Sequence, residues 1–352
     1  MPPLDRLIRT LISTQGAISL AAYMELALQH PDHGYYRVRN PVGRAGDFIT
    51  APEISQMFGE MIGVWCAETW RILGKPTPFA LIELGPGRGA MMQDILRATA
   101  HVEGFHAAKN LCLIDSNQLL REEQSAKLRA HAPNHFDDLA QIPPMPSLIL
   151  ANEFFDALPT RAFAKTFRGW AEHMVTIEND ALTLALRPLE EAEHALIPPT
   201  EHDALPGTVI EFSPQAQSLM RDLSRRLAAQ TGAMLIIDYG YTAPPHAPTV
   251  QAVSNHAFAN IFDRPGEVDL TAHVDFAALR DISLNAGLRA SPIIGQGEFL
   301  KNLGIDLRAE TLKRHATPAQ SAEIATALCR LTDDAQMGSL FKVMEINFSR
   351  TP

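Results

Sequence analysis

Four short β-rich runs, 79–84, 110–114, 147–151 and 233–238, alternate with stretches whose apolar residues recur at helical spacing. Parallel strands need a long crossover and a helix supplies it, so this alternation restricts the chain to an open α/β sheet with helices on both faces. The sheet is expected over 76–159 and 209–352. Residues 1–75 read as a helical segment. Leu4, Leu7, Ile8, Leu11 and Ile12 recur at the spacing of a first helix, a second spans 18–28 behind a Ser19 cap, and 53–73 resumes with Phe58, Met61, Ile62, Trp65 and Ile72 on one side. The Gly-, Pro-, Tyr- and Arg-rich loop 32–52 is long enough to be functional. Residues 160–208 break the rhythm with strand-like pieces at 163–167, 174–177 and 182–186, as an inserted subdomain would.

The chain has 352 residues and a formal net charge of −10, from 30 Lys and Arg against 40 Asp and Glu, which leaves no basic field for a nucleic-acid backbone. With 46% hydrophobic residues it has the material for a core that a disordered chain lacks. No apolar run approaches the roughly 18 residues that span a bilayer, so membrane insertion is not expected. Residues 1–13 carry Arg6 and Arg9 among apolar side chains and lack a signal peptide's continuous apolar core. Cys66, Cys112 and Cys329 are too far apart for a CxxC metal or redox pair and read as reduced, buried thiols.

Chemistry gathers at the carboxyl ends of the expected strands, where open α/β sheets bind ligands. The first strand runs into Glu83-Leu84-Gly85-Pro86-Gly87-Arg88-Gly89 and then a helix. Glycines at that point let a ligand lie against backbone N–H groups. A dinucleotide site wants G-x-G-x-x-G, whereas this turn is G-x-G-x-G behind an acid. Glu83 would repel a pyrophosphate and attract a cationic sulfonium amino acid. S-adenosylmethionine is therefore the favoured cofactor, and a nicotinamide dehydrogenase the weaker reading. Asp115 ends the next strand, placed to accept both ribose hydroxyls or to cap the helix that follows. Asp137 and Asp138 are candidates for the adenine amino group, or else solvated loop acids.

The third strand end, Asn152-Glu153-Phe154-Phe155-Asp156-Ala157-Leu158-Pro159, carries an amide, two carboxylates and two aromatics. Glu153 and Asp156 can hold a guanidinium by charge-assisted bonds and leave a nitrogen lone pair facing a methyl donor. Asp238, Tyr239 and Tyr241, at another strand end, can line the crevice. Glu267, Asp269, His273 and Asp275 stand between a loop and a helix. There His273 can accept a proton near neutral pH, while the plainer reading is a helix start with Thr271 as N-cap.

These strings, together with Gly34-Tyr35-Tyr36, Gly46-Asp47-Phe48-Ile49-Thr50-Ala51-Pro52-Glu53 and its continuation to residue 60, Gly266-Glu267-Val268-Asp269-Leu270-Thr271-Ala272-His273 and Met337-Gly338-Ser339-Leu340-Phe341-Lys342, resemble the MidA-like family. Its members include bacterial proteins and a mitochondrial assembly factor for respiratory complex I, and the match runs nearly end to end. The resemblance implies a class I, Rossmann-like S-adenosylmethionine-dependent methyltransferase fold with an N-terminal helical lid and a substrate-side insertion. Carried over by position, Glu83, Gly85, Gly87 and Gly89 cradle the methionine end of the cofactor, Asp115 the ribose, and Asn152 with Glu153 the reaction face. Segment 46–52 resembles a lid, in which the Thr50 hydroxyl and the turn from Thr50 through Pro52 to Glu53, at a helix N-terminus, can receive the cofactor carboxylate, and the resemblance adds His273 to the site. The implied activity is protein-arginine N-methylation, of a complex I subunit or a similar protein, and the lack of an extension before the family-like start points to a cytoplasm of bacterial type. The alternative is an assembly chaperone that binds S-adenosylmethionine without turning it over.

Overall fold

The computed structural model describes residues 2–38, 50–254 and 257–348, and its contacts divide the chain into two compact units. The larger comprises Asn40–Phe155, Leu219–Gly240 and Phe276–Pro352. Along it follow α1 (Gln56–Ile72), β1 (Phe79–Leu84), α2 (Ala90–Ala98), β2 (Lys109–Ile114), α3 (Gln118–Lys127), β3 (Asn134–Phe136), β4 (Ser147–Asn152), β5 (Gly232–Tyr241) and β6 (Phe341–Asn347). The strands lie in the order β3-β2-β1-β4-β5-β6, parallel from β3 to β5, with β6 antiparallel to β5.

Both β1 and β4 are buried at every residue, which is why they read as unbroken apolar runs and not as an alternation. Ile82 faces Cys112 on β2 and Ile149 on β4, so the register keeps apolar side chains level across three strands. Ile62, Trp65, Leu81, Ile95, Leu113, Leu150, Leu235 and Val343 belong to one core cluster, each such side chain contributing about 1.5–3 kcal/mol by burial. From β1 the chain winds one way to β2 and β3, then passes back to β4 and β5. The carboxyl ends of β1 and β4 therefore flank the point where strand order reverses, the place where this topology opens a crevice.

The helix expected over 53–73 is interrupted. Ala51–Ile54 forms a single turn with Pro52 in it, Ser55 is extended, and the Ser55 hydroxyl accepts from Met57 N at 3.2 Å to start α1. Positions 46–49 of the expected lid lie outside the described residues. Cys66 and Cys112 are buried as expected, but Cys329 is exposed, since it lies on an outer side of the helix Pro318–Thr332. Among the described residues no helix is long and apolar enough to cross a membrane.

The smaller unit comprises Met1–Arg39, Asp156–Ser218 and Tyr241–Asp275. Its antiparallel sheet runs Ile18–Ser19, Gly169–Glu178, Arg161–Thr166, Val209–Phe212, with Ala181–Pro188 also paired to Gly169–Glu178. The strand-like pieces of the expected insertion are thus longer than read, and the sheet draws on a strand beyond 208. Helices Pro3–Gln15 and Leu20–Gln29 belong to this unit with the chain as far as Arg39, while the expected segment from Asn40 to 75 falls in the larger one. The reason is their apolar stripe. Leu4, Ile8, Ile12, Met24 and Leu28 need a cover, and Ala162, Val175 and Leu182 of this sheet supply it. On one strand Glu172 is 1% exposed and accepts from Arg161 at 2.7 and 2.9 Å and from Arg187 at 2.7 Å.

Candidate active site

The turn after β1 is built by backbone conformation. Gly85, Gly87 and Gly89 have φ of +59°, +51° and +72°, which side-chain-bearing residues rarely adopt, and Gly85 N donates to Ile114 O at 2.9 Å, tying the turn to β2. A Cβ on Gly85 would stand 2.8 Å from the Phe154 ring, so the space above the turn is closed on one side by the strand end of β4. Glu83 is 3% exposed and its Oε2 has no hydrogen-bond partner. Burial, then the nearby charge of Asp115, pushes its carboxyl up to about 8.

Asp115, at the end of β2, is held on both oxygens. Its Oδ1 accepts from Asn117 N at 2.9 Å and its Oδ2 from Gln124 Nε2 at 2.8 Å. Burial raises its pKa, and the bonds from Asn117 and Gln124 oppose that rise. The cap of α3 is Asn117, whose Oδ1 accepts from Leu119 N and Leu120 N. Asp137 is largely exposed and ion-paired with Arg121 at 2.5 Å, and Asp138 caps a short 3₁₀ turn by accepting from Ala140 N at 2.8 Å. Both adenine candidates thus already have protein partners.

At the end of β4 the backbone turns through Glu153 with φ of +49°, a left-handed conformation costly for a residue with a Cβ. Asp238 holds it there: its Oδ2 accepts from Phe154 N and Phe155 N at 3.1 and 3.0 Å, and Glu153 N donates to Ile237 O at 2.9 Å. Glu153 Oε1 accepts from Ala51 N at 3.0 Å and from Asn152 Nδ2 at 3.3 Å. Asn152 Oδ1 is buried with no partner. Of the turn expected to receive the cofactor carboxylate, Ala51 N is therefore committed to Glu153, Glu53 N donates to Thr50 O at 2.9 Å and Pro52 has no N–H, which leaves the Thr50 hydroxyl, free of any capping bond.

The larger unit thus brings together Thr50, Pro52, Glu83, Gly85, Gly87, Gly89, Asp115, Asn152 and Glu153. Asp156 and His273 belong to the smaller unit. Asp156 is buried and its carbonyl accepts from Ala272 N at 2.9 Å; Tyr36 there donates to Asp269 at 2.8 Å. His273 N donates to the Thr249 hydroxyl at 3.0 Å. Thr271 is no helix cap: it lies in the strand Asp269–Thr271, paired with Gln251–Ser254, and the next helix starts at Phe276. Two residues carry more of the site than their sequence suggests, Asp238 as the clamp on the β4 turn and Gln124, unnoticed, as a partner of Asp115. The sequence signal for Gln124 is its position four residues after Leu120, on the buried stripe of α3, where a polar residue needs a reason.

Two buried acceptors without partners, Glu83 Oε2 and Asn152 Oδ1, stand at the ends of neighbouring strands beside a glycine turn, a donor set suited to a cationic amino-acid cofactor. Fold and site define an S-adenosyl-L-methionine-dependent methyltransferase, and the chain belongs to that family: residues 61–294 match the family model described as "Putative S-adenosyl-L-methionine-dependent methyltransferase". It is 34% identical to human "Protein arginine methyltransferase NDUFAF7, mitochondrial" over 96% of this chain and 82% of that one, and 32% identical to the Drosophila melanogaster homologue over 97% and 84%. A crystal structure from Burkholderia thailandensis bound to S-adenosyl-homocysteine superposes with a TM-score of 0.86 at 30% identity, covering 98% of this chain and 91% of that one. The curated relatives are mitochondrial proteins, which contradicts the expected bacterial-type cytoplasmic location.

Proposed function

We propose that this methyltransferase modifies an arginine side chain of a protein, with a subunit of respiratory complex I as the target the family resemblance implies. The observation that carries the reading is Glu153. A carboxylate in a strained turn at the end of β4, anchored from two sides, is where a cationic nitrogen can be oriented. The names of the relatives support arginine, and so does charge. The smaller unit carries 17 Asp and Glu against 9 Lys and Arg, so −8 of the chain's −10 lies there, a field that favours basic segments of protein.

S-adenosylmethionine supplies the electrophilic methyl group when bound. Glu83, the turn Gly85–Gly89 and Thr50 hold its amino-acid end, Asp115 the ribose, and Asn152 offers an acceptor at the reaction face. Glu153 binds the guanidinium and points a nitrogen lone pair at the methyl carbon; the new C–N bond forms as the C–S bond breaks, and the nitrogen's proton leaves to a base. Positioning supplies most of the acceleration, because the nucleophile is neutralised only late and no covalent enzyme intermediate is needed. The second carboxylate and the proton acceptor that the sequence suggests are Asp156 and His273, both of the smaller unit.

The test is to incubate the protein with methyl-labelled S-adenosylmethionine and mitochondrial extract, hydrolyse the labelled protein and separate the methylated amino acids. Methylarginines are expected, with label falling at least about a hundredfold in Glu153→Gln. Label on another residue type, or undiminished transfer by Glu153→Gln, would defeat the assignment. Asp156→Asn and His273→Gln in the same assay decide whether those residues keep their roles.

A further inference from the structure

Gln124 is 0% exposed, and its side chain makes three contacts that join separate parts of the cofactor site. Nε2 lies 2.6 Å from Gly87 O, in the glycine turn after β1, and 2.8 Å from Asp115 Oδ2, at the end of β2. Oε1 lies 3.0 Å from His135 Nε2, on β3. Both hydrogens of the amide nitrogen are taken by acceptors, so its oxygen faces His135 and that ring must donate from Nε2. Burial, then the charge of Arg121, lowers the His135 pKa, in keeping with a neutral ring that donates from one nitrogen.

We propose that Gln124 is a positioning residue for the cofactor: its amide fixes the distance between the Gly87 turn and the Asp115 carboxylate and keeps Asp115 an acceptor aimed at the ribose. No other side chain donates to both groups among the contacts described, and the residue is rigidly placed by α3, with the Gln124 Cγ only 3.5 Å from where a Cβ on Gly89 would stand. An amide suits the task and a carboxylate does not. Gly87 O and Asp115 Oδ2 both need a donor, and only an NH₂ group supplies two hydrogens from one atom without adding charge beside Asp115. The inference rests on Asp115 as the ribose acid.

Calorimetric titration of the full chain with S-adenosyl-homocysteine tests it. Gln124→Met is expected to bind about tenfold or more weakly than the wild type, because a charged acceptor loses its donor. In an Asp115→Asn background the same change is expected to weaken binding by no more than about twofold, because Gln124 acts through Asp115 and the two losses overlap. Losses that multiply, or a Gln124→Met protein that binds like wild type, would overturn the proposal while leaving the cofactor intact. A wild type that fails to bind at all would remove the cofactor reading and the proposal together. Gln124→Glu keeps the shape of the side chain should the Met variant fold poorly. Its introduced carboxyl can donate only when protonated, so the ratio of variant to wild-type affinity is expected to rise as pH falls from 8 to 6, and a constant ratio overturns the proposal.

Discussion

Glu83 binds its proton in the ligand-free protein at a pH where a solvated glutamate is ionised, and ligand binding should reverse that. Its carboxyl rises from 4.5 to about 8 through burial and the charge of Asp115. At about 1.4 kcal/mol per pH unit, the whole shift corresponds to about 5 kcal/mol. The sign follows from proton counting: between pH 4.5 and 8 the folded protein holds a proton that the unfolded chain releases, so Glu83 contributes stability that is complete below pH 4.5 and is lost as pH rises toward 8. Glu83→Gln removes the titration, and over pH 5 to 8 the variant is expected to gain on the order of 3 kcal/mol on wild type in urea denaturation. A cationic amino group in the site demands the ionised form. S-adenosyl-homocysteine binding at pH 7 should then release about 0.9 proton, and its affinity should rise up to about fiftyfold between pH 6 and 8. Calorimetry in buffers of different ionisation enthalpy reads the proton directly. Proton release near zero in wild type, or a pH profile shared by Glu83→Gln, would refute the reasoning.

Gly85→Ala places a Cβ 2.8 Å from the Phe154 ring at a φ of +59°, so a loss of about 1–3 kcal/mol and of S-adenosyl-homocysteine binding is expected by denaturation and titration. Asp238→Asn replaces an acceptor of three amides, Phe154, Phe155 and Tyr239, by a group with one acceptor oxygen; a loss of about 2–4 kcal/mol is expected, with turnover falling further than cofactor affinity. Glu172→Gln removes the buried charge that Arg161 and Arg187 share, though Arg187 keeps Glu193 at 2.8 Å, and a loss of about 1–3 kcal/mol in the smaller unit should show as an early phase in hydrogen exchange of its sheet.

Much of the larger unit was legible because β1 and β4 are buried at every residue, and apolar runs with few polar interruptions admit little else. The glycine turn and the acids at strand ends were legible for a related reason: parallel topology forces ligand chemistry to carboxyl ends. What escaped depends on partners far away in sequence. Gln124 lies 37 residues from Gly87, and its place on one stripe with Leu120 marks it as inward-facing but does not name its partners until β1 and α3 are laid together. Asp238 stands 84 residues from Phe154, joined only by the parallel pairing of β4 and β5. Thr271 shows the opposite failure. A threonine two residues before His273 resembles a helix cap, but Leu270 pairs with Ala252, and strand pairing decided against the local signal. The apolar stripes of the N-terminal helices are visible in the sequence, yet a stripe alone does not name its cover, and Val175 and Leu182 lie far along the chain.

The two acids proposed for the cofactor, Glu83 and Asp115, are treated oppositely, and on that proposal the difference separates affinity from catalysis. Asp115 is surrounded by donors before any ligand arrives, so its contribution is preorganised and little changes on binding. Glu83 has an oxygen with no partner and stays protonated until a cation is present. The amino group that Glu83 would meet is the same in S-adenosylmethionine and in S-adenosyl-homocysteine, as is the ribose that Asp115 would meet. Interactions made equally with substrate and product lower the concentration of cofactor needed and add nothing to the chemical step. Discrimination at the transferring methyl must then come from the end of β4, where Asn152 Oδ1 and the strained Glu153 turn lie, and where Asp238 fixes the backbone at full burial. The left-handed turn at Glu153 would then act on the rate through positioning, whereas the hydrogen-bonded Asp115 would serve binding alone.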